Sequence, residues 1–162
     1  MNVFKEWLHL QESVIIKHID DPEEEWEQAE QAYAIAKMVK IRPDSTKNVT
    51  FVAVNDNDDV IGAAYTNVQA DHNASSSTGE EILVYSFDVV VHPKWQGYEM
   101  VGMQLIKACE QERDSIENER DAKVYTRLWV VNPRLAQILQ NPRFGYELES
   151  DHGDGSAHLV KY

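Results

Sequence analysis

The residues best placed to do chemistry lie in one stretch, EILVYSFDVVVHPKWQGYEMVGMQLIK, residues 81–107. Its apolar run from Ile82 to Val91 holds Val84, Phe87, Val89, Val90 and Val91, residue types that suit a strand buried on both sides. Pro93 cannot donate to a ladder and stops that strand. Gln96-Gly97-Tyr98 makes a turn, and Val101, Leu105, Ile106 and Cys109 then recur at helical spacing. A strand feeding a helix through a short turn leaves the N–H groups of the first helical turn unpaired. Those donors and the helix dipole favour an anion such as a pyrophosphate. Groups that can move protons sit in the same strand. Tyr85 lies on one face and Asp88 on the other by alternation, with His92 at the exit. A buried Asp88 needs a partner, for which Arg127 and His92 are the candidates.

The elements that must position these groups follow from the rest of the chain. Residues 2–11 place Val3, Phe4, Trp7, Leu8 and Leu10 at nearly helical spacing, an amphipathic helix that packs across a sheet or against another chain. SVIIKHI, residues 13–19, reads as a first strand. Asp20-Asp21-Pro22-Glu23-Glu24-Glu25 reads as a helix start, with Asp as cap, Pro in the first turn and acids at the positive dipole end. Trp26, Ala29, Tyr33, Ile35, Ala36 and Val39 carry that helix to about Lys40, and its seven acids between Asp20 and Glu30 read as a solvated face, with a docking site as the alternative. NVTFVAV (48–54) and VIGAAYTNV (60–68) are strands of a hairpin around the polar turn Asn55–Asp59. That turn lacks the twelve-residue frame of a calcium loop. ADHNASSSTGE, residues 70–80, is a polar connection expected to be a mobile loop; Asp71 and His72 within it read as solvated rather than metal-binding. A long helix to about Arg120, a strand VYTRLWVV (124–131), a helix RLAQILQN (134–141) and a last strand AHLVKY (157–162) complete the order. Strands 82–91 and 124–131, joined by a helix, are expected to run parallel.

Composition excludes whole classes. At 162 residues and 43% hydrophobic, with four Trp and seven Tyr, the chain can bury a core and is not a disordered segment. It holds no run of about eighteen apolar residues, so no membrane span is expected. Its first residues lack the basic region and apolar core of a signal peptide, and its one cysteine, Cys109, excludes an internal disulfide. A cytoplasmic protein is expected. The net charge of −13 argues against nucleic-acid binding, which needs cations at phosphates, and favours encounter with cationic partners: a small-molecule amine or a basic protein.

The stretch around Pro93 resembles motif A of the GCN5-related N-acetyltransferases (GNAT), roughly Val-x-Pro-x-x-Arg/Gln-Gly-x-Gly-x-Gly/Ala. Val91, Pro93, Gln96 and Gly97 match in register. Glu99 and Val101 stand where the family prefers glycine or alanine, and a one-residue shift puts Met100 and Gly102 there. The hairpin VAVNDNDDVIGAAY resembles the family's second and third strands, with Gly62 at the matching glycine. Asn132, Ala136 and Gly145-Tyr146 resemble motif B, although Leu139 or Gln140 replaces the helix tyrosine that many members use as general acid. The resemblance covers about residues 13–162. It implies an α/β (α+β) fold: a mixed, mostly antiparallel sheet of six or seven strands with helices on both faces, in a single domain over 1–162 with 1–11 as a helical extension. It implies acetyl-CoA as co-substrate and transfer of its acetyl group to a primary amine, or a catalytically inactive relative that binds a macromolecule. The cofactor's pantetheine arm would meet the backbone near Val89 and Val91. Its pyrophosphate would meet Gln96, Gly97, Tyr98, Met100, Val101 and Gly102, with Asn132 alongside. Tyr85 takes the position at which several members place a general base, and a tyrosine there would relay a proton or act as acid. A homodimer is compatible with the N-terminal helix.

Overall fold

The computed structural model describes residues 14–21, 23–40, 46–74, 79–95, 99–130, 133–154 and 156–162, without the side chains of Glu99 and Met100. The expected N-terminal helix, the middle of the serine-rich connection, Gln96-Gly97-Tyr98 and Asn132 lie outside the described residues. The element order is β1 (Ile15–His18), α1 (Trp26–Met38), β2 (Asn48–Val54), β3 (Val60–Ala70), β4 (Ile82–Val91), a 3-10 turn (Pro93–Trp95), α2 (Glu99–Arg120), β5 (Lys123–Val130), α3 (Pro133–Leu139), β6 (Glu147–Asp151) and β7 (Ala157–Lys161). The strands form one seven-stranded mixed sheet in the order β1-β2-β3-β4-β5-β7-β6. β4 and β5 pair in parallel from Ile82↔Lys123 to Asp88↔Trp129, as a strand–helix–strand crossover requires, and the pairs β1–β2, β5–β7 and β6–β7 are antiparallel. No helix among the described residues is long and apolar enough to cross a membrane. Contacts group the chain into two compact units, Met1–Tyr65 with Val89–Cys109 and Thr66–Asp88 with Glu110–Tyr162.

In the first unit β3 is covered on both faces, and its sequence shows how. Odd residues face α1: the Tyr65 hydroxyl donates to the Ala32 carbonyl at 2.5 Å. Even residues face α2. A Cβ built on Gly62 would stand 3.0 Å from Leu105 Cδ1, 3.1 Å from the Val90 carbonyl and 3.2 Å from Val101 Cγ1, so only glycine lets α2 approach this closely. Val60 to Tyr65 are accordingly all buried. The β2–β3 turn is tied by Asn55, whose Oδ1 accepts the N–H groups of Asn57 and Asp59, both at 3.0 Å.

α1 departs from expectation at its start. It begins at Trp26, not after Asp20. The Asp21 side chain caps an earlier turn by accepting the Glu23 N–H at 2.9 Å, and its carbonyl takes the Glu25 N–H at 3.0 Å. Glu25 reaches back to the Asp20 N–H at 3.1 Å and to Lys17 Nζ at 3.1 Å. The helix buries Ala29, Ala32, Ile35 and Ala36 only, and leaves Trp26 and Tyr33, expected on the apolar face, exposed.

In the second unit β4 is not buried on both sides. Leu83, Tyr85 and Phe87 are buried, while Ile82, Val84 and Ser86 are half-buried. The odd residues face α2, and the even ones share a face with the half-buried Tyr125, Arg127 and Trp129 of β5. β6, ELESD, is exposed throughout and carries no alternation; it forms a strand at the sheet's edge because β7 supplies its pairing.

Candidate active site

At the end of β4 the backbone turns sharply. The His92 N–H donates to the Ile61 carbonyl at 2.8 Å, the last rung against β3. The Trp95 N–H then returns to the His92 carbonyl at 2.8 Å, and the Lys94 N–H donates to His92 Nδ1 at 3.1 Å, closing the 3-10 turn at Pro93. α2 starts at Glu99. Val89 and Val91 are half-buried and Val90 is buried. Val101 is 1% exposed and packs towards Gly62, so only its backbone is left to meet a ligand. Gly102 is buried, and a Cβ there would make ordinary contact with Val91 Cγ2 at 3.7 Å. The first turn of a 22-residue helix offers N–H donors that no preceding carbonyl of the helix can take, which fits a diphosphate.

Tyr85 is wholly buried, and its hydroxyl donates to Glu112 Oε1 of α2 at 2.9 Å. Glu112 is half-buried, between the buried Tyr85 hydroxyl and the surface of α2. A second tyrosine–carboxylate pair involves the same helix: the Tyr146 hydroxyl donates to Glu110 Oε1 at 2.8 Å, with Lys161 Nζ 3.8 Å from the same oxygen. Arg113 donates to the Val124 carbonyl and pairs with Glu117 at 2.5 Å. In the sequence Glu110 and Glu112 look like ordinary charges of a long helix. The signal that finds them is the odd-residue face of β4, which must look at that helix.

The other face of this unit holds a polar and aromatic row. Asp88 stands opposite Trp129 and Trp129 opposite His158 in the strand register. Trp129 stacks on His158, with ring centroids 6.3 Å apart at 19°, and His158 Nδ1 shares a proton with His152 Nε2 at 2.7 Å. Burial, and then the neighbouring His152, push the His158 imidazole down. Arg127, a candidate partner for Asp88, pairs with Glu149 at 2.8 Å, and His92 Nδ1 accepts the Lys94 N–H. Asp71 Oδ2 accepts the Tyr125 hydroxyl at 2.8 Å, and Asp71 Oδ1 accepts the Ala74 N–H at 3.1 Å. Burial and the Asp71 hydrogen bond push the Tyr125 phenol up to about 12. The Ala74 N–H, then Tyr125, hold the Asp71 carboxyl below its usual range.

A seven-stranded mixed sheet with β4 and β5 parallel and a helix between them matches the GNAT-like fold. The chain is similar in structure to the NatC complex bound to Gag peptide and CoA, at 12% identity over 92% of this chain and 98% of that one, TM-score 0.64. It is also similar to Arabidopsis thaliana NAA60 in complex with acetyl-CoA, at 14% identity over 91% and 97% of the two chains, TM-score 0.63. A third is an acetyltransferase of the GNAT family from Staphylococcus aureus, at 12% identity over 92% and 98%, TM-score 0.54. No protein-family model and no curated protein matches the sequence.

Proposed function

We propose that this chain acts as a single GNAT-like domain and transfers the acetyl group of acetyl-CoA to a primary amine, with cationic acceptors preferred. The observation that carries the reading is the shared fold. The likeness lies in the order of elements, and two proteins of this fold are bound to CoA and acetyl-CoA. The amides of the first turn of α2, from Glu99 to Gly102, with Gln96, Gly97 and Tyr98 before them, hold the pyrophosphate. The backbone at Val89 and Val91 pairs with the pantetheine arm, and an N–H there stabilises the oxyanion of the tetrahedral intermediate. Asn132 borders the same arm. In the reaction a C–N bond forms at the thioester carbonyl and the C–S bond breaks. The amine nitrogen gives up one proton and the departing thiolate takes one. Tyr85 is the proposed proton-handling group, acting through its bond to Glu112. A thioester is reactive enough for positioning to supply most of the rate.

The test is thiol release over time with a polyamine or a lysine peptide, comparing wild type with Tyr85→Phe. Release well above background in the wild type, slower by about 10²–10⁴-fold in the variant at nearly unchanged CoA affinity, supports both the activity and the role. An unchanged rate reduces Tyr85 to a fastener of α2.

A second reading is a protein of this fold that binds a macromolecule without chemistry. The place of the family's helix tyrosine, taken by Leu139 or Gln140, favours it: Leu139 is fully buried and neither residue is a phenol. Absence of release with every amine tried would decide for this reading.

A further inference from the structure

We propose that the exposed face of α1 is a docking surface for a Lys/Arg-rich segment of a partner protein. Trp26, Glu30, Tyr33 and Lys37 recur at i, i+4, i+7 and i+11 and therefore form one stripe along the helix. Trp26 is 57% exposed and Tyr33 45% exposed. Neither is needed to seat the helix, which rests on three alanines and Ile35. Single exposed apolar side chains need no explanation, but two large aromatics aligned on one helix of a single unit form a patch. Tyr33 is also held in place. Its ring lies 5.4 Å from that of Tyr65 at 41°, and Tyr65 is clamped by its bond to the Ala32 carbonyl.

Charge complementarity names the occupant. Glu23, Glu24, Glu27 and Glu30 flank Trp26 in the chain, and all four carry their charge at or near the surface. Lys17, the nearest cation on β1, is engaged by Glu25 and Gln28, and the first base on the helix itself is Lys37, at its far end. Aromatic faces beside carboxylates suit guanidinium and ammonium groups: the ring takes the cation face-on and the aliphatic stem lies along it. A second copy of the chain, itself at −13, brings the wrong sign. A small polyamine supplies charge without the side-chain stems or backbone to follow the helix from Trp26 to Tyr33. The surface does not depend on acetyl transfer and serves a binding protein equally well.

The experiment is fluorescence anisotropy of a labelled synthetic peptide of Arg, Lys and Leu, titrated with the full chain without acetyl-CoA. Expected is saturable binding, weakened at least about tenfold by the pair Trp26→Ser and Tyr33→Ser. Glu27→Gln with Glu30→Gln should weaken binding and flatten its dependence on salt. Trp26→Ser alone, at the more exposed of the two positions, should weaken binding while keeping the unfolding midpoint in place, which tells lost binding apart from lost folding. Full affinity in the aromatic pair would overturn the proposal. So would spermidine competing as well as unlabelled peptide, or Trp26→Ser dissolving a dimer in sedimentation instead of releasing peptide. If residues 2–11 are the true occupant, Trp7→Ser will raise peptide affinity many-fold, and the assignment to a partner protein falls.

Discussion

Tyr125 shows how one hydrogen bond reaches into the pH dependence of the molecule. Its phenol, raised by burial and by Asp71 to about 12, ordinarily titrates near 10.0. Through that window the folded chain keeps a proton that the unfolded chain has lost, so stability is fully present below about 10 and falls as pH rises towards 12. Absorbance titration of the seven tyrosines should lose one late-titrating group in Tyr125→Phe, together with a shallower loss of stability in alkali. Asp71 works in the opposite sense. Its carboxyl is held low, so its contribution is present above the ordinary carboxylate range and disappears in acid. Neither residue stands out in the sequence as half of a pair, because 54 positions separate them and only the sheet register aligns them. Tyr85 is visible from its place in the strand. Its partner Glu112 is not, since an acid on a 22-residue helix carries no mark of the face it occupies.

At the scale of elements, glycine spacing is informative where it meets packing. Gly62→Ala forces a methyl group to within 3.0–3.2 Å of Leu105, Val90 and Val101. It should cost about 1–3 kcal/mol in denaturant unfolding, as overpacked cores do. Gly102→Ala places its methyl group at an ordinary 3.7 Å from Val91. Inside a helix it should be neutral or stabilising by up to about 1 kcal/mol, and should leave CoA affinity intact. The strand–turn–helix at 82–120, the hairpin and the parallel pair are legible because apolar runs, Pro93 and turn residues mark them in the chain. Two features are not. α1 starts as late as Trp26 because Asp21 spends its side chain on the turn before it. β6 escapes notice because an exposed, acid-rich edge strand needs no apolar alternation. The face of β4 that stays half-open also cannot be read from its own run of valines. That depends on what the neighbouring strand presents, here Tyr125, Arg127 and Trp129.

For the whole molecule, the formal net charge is −13. A net −13 raises the local concentration of cations, so cationic amines should be acetylated faster than neutral ones, and added salt should narrow the difference by screening. On the proposed function the same charge would oppose an anionic cofactor, and an acidic residue type at position 99, where α2 starts, would add to that opposition. Glu99→Gly should therefore tighten CoA. The most direct measurement is calorimetric titration of the purified chain, wild type and Glu99→Gly, with acetyl-CoA and with CoA. Expected is saturable binding of both ligands to the wild type, tighter in Glu99→Gly. No binding of either ligand to either form at millimolar concentration would contradict the reading of this chain as an acetyl-CoA-dependent transferase.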